Sequence, residues 1–167
     1  MLSGGDRRGI GRSNELAQAL QQGACDARHA VALLFDSDPV IRMRAGDALE
    51  KASLANPGLI APFGRELLDL LCQEEQMEVR WHLARMAPRL PLKASDRRRA
   101  VEALKRYLQD RSSIVRTWAL DALTHLAARE ASIKDEIKEL LREAERSGTP
   151  AMRARARRLL RESEKTG

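Results

Sequence analysis

Residues 112–123 read SSIVRTWALDAL, with an arginine directly after an aliphatic pair at the head of an apolar-periodic run. The same shape recurs as VIRMRAGDAL from Val40, EVRWHLARMA from Glu78 and AMRARARRLL from Ala151. The aliphatic and arginine pairs are Ile41 and Arg42, Val79 and Arg80, Val115 and Arg116, and Met152 and Arg153, so successive copies lie 38, 36 and 37 residues apart. A period of this size marks a repeat architecture, in which one supersecondary unit recurs and buries its apolar face against its neighbours.

Equivalent positions sharpen the pattern. Four residues after each lead aliphatic stand Ala45, Leu83, Ala119 and Ala156; seven after stand Ala48, Met86, Ala122 and Leu159; eight after stand Leu49, Ala87, Leu123 and Leu160. These positions share one helix face, and the small residues among them let helices approach closely. Helices headed by the pair are predicted at about 39–54, 77–87, 112–128 and 150–163. Between them lie apolar stripes at about 59–72, 95–109 and 131–146, and a first helix from Ser13 or Asn14 is stopped by Gly23. Short connections such as NPG at 56–58 and SGTP at 147–150 join the helices into hairpins. Leu, Ala, Arg and Glu dominate and only 3% of residues are aromatic, a composition suited to helices.

The chain has 167 residues and a net charge of +6. Residues 1–12 contribute +2 and residues 150–167 contribute +4, so the body between them is neutral. The basicity belongs to the ends, which weakens the case for a whole-body nucleic-acid footprint. Cys25 and Cys72 have no metal or redox spacing, the first residues lack an apolar leader, and no stretch approaches the roughly 20 apolar residues that span a bilayer. The expectation is a cytoplasmic protein with no membrane partner.

The repeated pattern resembles the HEAT-repeat family, and a second feature joins it: an acidic residue six positions before the arginine, as in Asp36 and Arg42, Glu74 and Arg80, and Asp110 and Arg116. The resemblance covers about residues 13–163. It implies an all-α, right-handed α-solenoid of about four stacked antiparallel helical hairpins, with units at about 13–36, 37–72, 75–109 and 110–146 and a capping helix at 150–163. A flexible arm (1–12) and a short tail (164–167) flank it. In the family these acids and arginines form a hydrogen-bonded ladder between repeats. The chain departs from the pattern at Ser147, which stands where the acid before Arg153 would be, and the proline common in the first helix of the family's repeat is not evident.

No catalytic constellation emerges. His29, His82 and His125 have no ligand at metal spacing, there is no Cys cluster, and no Gly-rich loop follows a strand, so no cofactor or metal is expected. Binding is better supported. The family's geometry implies a concave face carrying Arg44, Trp81, His82, Arg85, Trp118, Asp121, Arg155 and Arg158, which includes both tryptophans of the chain. Aromatic and guanidinium groups together suit a protein or peptide partner, and also nucleic-acid bases or a small anionic ligand. The leading expectation is a non-enzymatic interaction scaffold, with nucleic-acid binding as the alternative. A DNA-alkylation-repair-like glycosylase, suggested by Trp118 and Asp121, is a narrower one. Each tryptophan could instead pack at the edge of the core. The run MRARARRLLRE at 152–162 reads as an amphipathic cap with Arg155, Arg158 and Arg161 outward.

Overall fold

The structure is a computed structural model and describes residues 12–165. The expected arm, apart from Arg12, and the last two residues of the expected tail lie outside that range. Among the described residues the chain is all-helical: α1 (Ser13–Gln21), α2 (Ala27–Ala32), α3 (Pro39–Ala55), α4 (Gly64–Gln73), α5 (Met77–Met86), α6 (Ala94–Tyr107), α7 (Ser113–Ala127), α8 (Lys134–Ser147) and α9 (Pro150–Lys165). None of these helices is long and apolar enough to cross a membrane.

Local chemistry sets the boundaries. Asp26, Asp38 and Ser112 cap α2, α3 and α7 by accepting from the main-chain N–H of Arg28, Val40 and Val115. Pro39 opens α3 where its missing N–H has no partner to lose. Gly23, at φ +71°, adopts the left-handed conformation that stops α1. Three starts differ from the sequence expectation, one of them being the stripe predicted from about 131, which begins as the 3-10 turn Ala131–Ile133 before α8 starts at Lys134. The run predicted from residue 59 begins as 3-10 turns, Pro57–Leu59 and Ala61–Phe63, because Pro62 offers no N–H to an α-helical ladder, and α4 follows only at Gly64. Ser13 does not cap α1 but is its first residue, fully buried, with its hydroxyl turned to Asp47 on α3.

The odd-numbered helices pack in succession, α1 on α3, α3 on α5, α5 on α7 and α7 on α9. The even-numbered ones lie against them: α2 on α3, α4 on α5 and α6, α6 on α7, and α8 on α7 and α9. Ala45, Ala48, Ala84, Ala119, Ala122 and Ala156 are completely buried along the odd helices, where short side chains permit close approach. Leucines fill the space beneath, among them Leu49, Leu68, Leu104 and Leu123.

The repeated arginines make one bond three times over. Arg42 donates to the main-chain carbonyl of Asp36 (3.0 Å), Arg80 to that of Glu74 (2.6 Å) and Arg116 to that of Asp110 (2.6 Å). Each acid meanwhile turns its carboxylate to the N–H two residues on, at Asp38, Gln76 and Ser112. Within a unit, therefore, the arginine meets the acid's backbone and not its side chain. Contact between units is made by the groups left over. Arg80 pairs with the largely buried carboxylate of Asp110 at 2.6 Å, while Arg42 donates to Gln76 (2.9 Å), whose amide donates back to the Pro39 carbonyl (2.8 Å). Tyr107 lies beside this link, with Arg80 over its ring at 5.2 Å and its hydroxyl donating to the Leu71 carbonyl at 2.8 Å.

Arg80→Ala is expected to destabilise the protein by about 2–3 kcal/mol, since it strands a carboxylate and a carbonyl, whereas Arg116→Ala, which removes bonds to carbonyls alone, costs about 1–2 kcal/mol. Urea midpoints of the two variants check the order, and equal values would deny the link between units its part. Burial pushes the Tyr107 hydroxyl well above the usual tyrosine range, and nearby Arg80 offsets this only in part. The neutral phenol is the form the fold favours. Its contribution is complete below about pH 10 and is lost as pH rises beyond. Tyrosinate absorbance of this sole tyrosine should stay silent near pH 10 until the chain unfolds.

Candidate functional site

On α3, three charged residues spaced like core positions are buried: Arg44 at 2% exposure, Asp47 at 9% and Glu50 at 3%. Burying charge is costly unless each group is paired and hydrogen-bonded. Asp47 accepts from Ser13 (2.5 Å) and Lys51 (2.6 Å), and Lys51 also donates to Asn14 (2.7 Å), so α1 is fastened to α3. Glu50 accepts through one oxygen from His82 Nδ1 (3.1 Å) and Arg85 (2.9 Å) on α5. Its main-chain carbonyl accepts from Arg89 at 3.1 Å. Burial lowers the Arg89 pKa and the Glu50 charge opposes that shift.

The His82 tautomer follows from its neighbours. Trp81 Nε1, which can only donate, points at His82 Nε2 at 2.9 Å, so Nε2 accepts and Nδ1 carries the hydrogen given to Glu50. The close approach of α3 and α5 here depends on Gly46, since a Cβ at that position would lie 3.3 Å from the His82 side chain.

From Glu50 the network runs on through Arg85. Its guanidinium lies over the Trp118 ring on α7 at 4.1 Å, and Arg155 on α9 approaches the same ring at 5.0 Å while donating to Asp121 at 2.7 Å. His125 shares the end of the chain, its Nδ1 hydrogen-bonded to the Asp121 carbonyl at 2.8 Å. One polar and aromatic seam thus connects α3, α5, α7 and α9. Arg158 stands apart from it and pairs with Glu162 at 2.7 Å.

A cleft of about 620 Å³ opens between α3 and α5. Arg44, Asp47, Glu50 and His82 form its floor, Met43, Leu54 and Trp81 give apolar walls, and Lys51, Glu78 and Arg85 stand at its edge. The sequence-predicted residues therefore divide three ways. Arg44, Trp81, His82 and Arg85 converge on the cleft; Trp118, Asp121 and Arg155 belong to the seam beside it; Arg158 joins neither. Trp118 is half-buried between two guanidinium groups, and Asp121 is 8% exposed.

Donor atoms of Asp47, Glu50 and His82 lie within 4.8 Å of one another, the arrangement that invites a metal ion. The chemistry of the set argues otherwise. His82 Nδ1 holds a hydrogen, the facing Glu50 oxygen already accepts twice, and Lys51, Arg85 and Arg89 crowd the site with positive charge.

Sequence reasoning passed over Glu50, Lys51 and Arg89, and took Ser13 only as a helix start. Glu50 stands nine residues after its lead aliphatic, where the other copies hold Pro88, Thr124 and Arg161. An acid that interrupts an apolar run was the available signal. No family model matches this chain, and neither curated proteins nor solved structures yield a match. The site is accordingly argued on its geometry.

Glu50→Ala is expected to destabilise by about 3 kcal/mol or more, because His82, Arg85 and Arg89 remain around an uncompensated gap. Glu78→Ala at the cleft edge should stay within about 0.5 kcal/mol. Chemical denaturation of both variants checks the contrast, and a mild Glu50→Ala would mean that the network is not a stabilising one.

Proposed function

We propose that the chain is a HEAT-like right-handed α-solenoid that serves as a non-enzymatic protein-interaction module, with the face of its odd-numbered helices as the contact surface. The serial packing of those helices and the thrice-repeated arginine bond support the solenoid reading. The observation that carries the functional reading is the pairing of charge across the face. Lys51 pairs with Asp47, Arg85 with Glu50, Arg155 with Asp121 and Arg158 with Glu162. What remains is a surface of alternating sign with apolar walls at Met43, Leu54 and Trp81, and Leu54 is 67% exposed. Such a surface suits protein side chains, which themselves alternate between apolar and charged.

A nucleic-acid strand asks for something else: uncompensated cations along its backbone and open aromatic faces for its bases. Here the groove cations are engaged, and Trp118 has guanidinium groups against its ring. The same contacts count against the glycosylase-like comparison, since Asp121 is held by Arg155. Support for the nucleic-acid reading comes from the basic ends alone.

Tryptophan fluorescence during titration with a short single-stranded oligonucleotide, at low salt and at about 200 mM, is expected to show no salt-resistant quenching. A protein captured on the immobilised wild-type chain should bind at least about tenfold more weakly to Leu54→Asp and Trp81→Ala, and normally to Arg98→Ala on α6. Salt-resistant quenching that vanishes in Trp81→Ala would instead favour nucleic acid. Capture indifferent to Leu54 and Trp81 would remove the groove from the reading.

A further inference from the structure

The side of α9 turned away from the core carries Arg153, Arg157 and Arg161, all exposed. Steps of four residues set them in a row along the helix, about 6 Å apart at each step. No described acid pairs with any of the three. The nearby carboxylates are engaged elsewhere: Glu162 with Arg158, Glu143 with Arg146 and Ser147, and Asp121 with Arg155. Arg161 Nε donates only to the Arg157 carbonyl, at 3.3 Å. Glu164, three residues after Arg161, is exposed and makes no ion pair with it.

The fold does not require this arrangement. Like charges four residues apart weaken a helix, and a terminal helix needs only polar residues on its outer side. Elsewhere exposed arginines are matched to acids, as Arg12 is to Glu15, Arg99 to Asp69 and Arg142 to Glu139, or stand singly, as Arg28, Arg65 and Arg98 do on three separate helices; no other described helix sets three unmatched arginines four residues apart. Of the three arginines expected outward, Arg155 turns instead to Asp121 on α7, while Arg158 is exposed and pairs with Glu162 on its own helix.

We infer that this row is a docking surface for an acidic helix of a partner protein, one whose carboxylates recur every four residues. Charge complementarity and pitch carry the choice. A helix with Glu or Asp at i, i+4 and i+8 presents carboxylates at the same 6 Å steps, and each can take a guanidinium fork in bidentate fashion. A nucleic-acid strand asks for a longer cationic track, whereas the body between the basic ends is neutral, and α9 carries no aromatic ring on which a base could stack. The surface lies outside the groove and does not rest on the groove's function.

The probe is a fluorescently labelled alanine-rich peptide with glutamates at i, i+4 and i+8, followed by anisotropy against the full chain at low salt and at about 150 mM. A peptide of the same composition with unevenly spaced glutamates and a short oligothymidylate serve as competitors. The regularly spaced peptide is expected to bind several-fold more tightly than either. Reversing all three arginines to glutamate should weaken it at least about tenfold, with helicity by circular dichroism retained. Reversing Arg28, Arg65 and Arg98, exposed residues on other helices, should have little effect. If the triple variant does not fold, Arg157→Gln replaces it, and the comparison between peptides needs no variant. Absence of binding at low salt, equal binding of the unevenly spaced peptide or the oligonucleotide, or equal loss in the control triple would each overturn the proposal.

Discussion

The bond from a repeated arginine back to the carbonyl six residues earlier is the constraint from which the rest of the packing follows. That carbonyl belongs to an extended residue between two helices, as at Asp36 (ψ 151°) and Glu74 (ψ 137°). A guanidinium from the second helix turn therefore clamps the approach to the helix at a fixed angle. Repeating the clamp at α3, α5 and α7 starts these helices alike, and equivalent side chains then fall opposite one another. The remaining donors of the same arginines reach the next unit, to Gln76 from Arg42 and to Asp110 from Arg80. One residue type thus bonds the approach to its own helix and, at Arg42 and Arg80, the approach to the next odd-numbered helix as well.

Aligned helices also explain how so many charges come to be buried. Residues three and six after the lead aliphatic line one side of α3, α5, α7 and α9, with Glu50 beside them on α3, and a cation on one helix meets an acid on its neighbour, as Arg85 meets Glu50 and Arg155 meets Asp121. Such pairs gain little net stability over well-packed apolar residues, but losing one partner is costly. Their effect is to define register. A shift of α5 along α3 by one turn would break the Glu50 bonds to His82 and Arg85 and bring the Gly46 backbone against a different side chain.

The helical pattern was readable because it repeats. Four copies of the aliphatic and arginine pair located α3, α5, α7 and α9, and the small residues behind each pair proved to be buried. Features that do not repeat were harder to read. The acid before each arginine was visible, but sequence spacing cannot say whether a backbone carbonyl or a carboxylate receives the guanidinium. Ser13 looked like a cap because caps are local, while its actual partner lies 34 residues away on α3. Trp118 was legible as a groove residue, yet its covering by Arg85 and Arg155 depends on three helices meeting. Glu50 escaped notice for the opposite reason: it occupies a position that the repeat leaves free to vary.

The distribution of charge follows from the same logic. An internal unit has neighbours on both sides, so a cation on its odd helix finds an acid across the gap, and the body of the chain balances to zero. Among the described helices, α9 packs on α7 and α8. Arg155 is matched by Asp121 on α7; Arg153, Arg157 and Arg161 are exposed and pair with no described acid. The motif also lapses here, with Ser147 in the acid's place bonded to Glu143 on its own helix. The positive charge of residues 150–167 is thus gathered on the exposed side of α9, where steps of four residues fix its spacing and arginine fixes its sign.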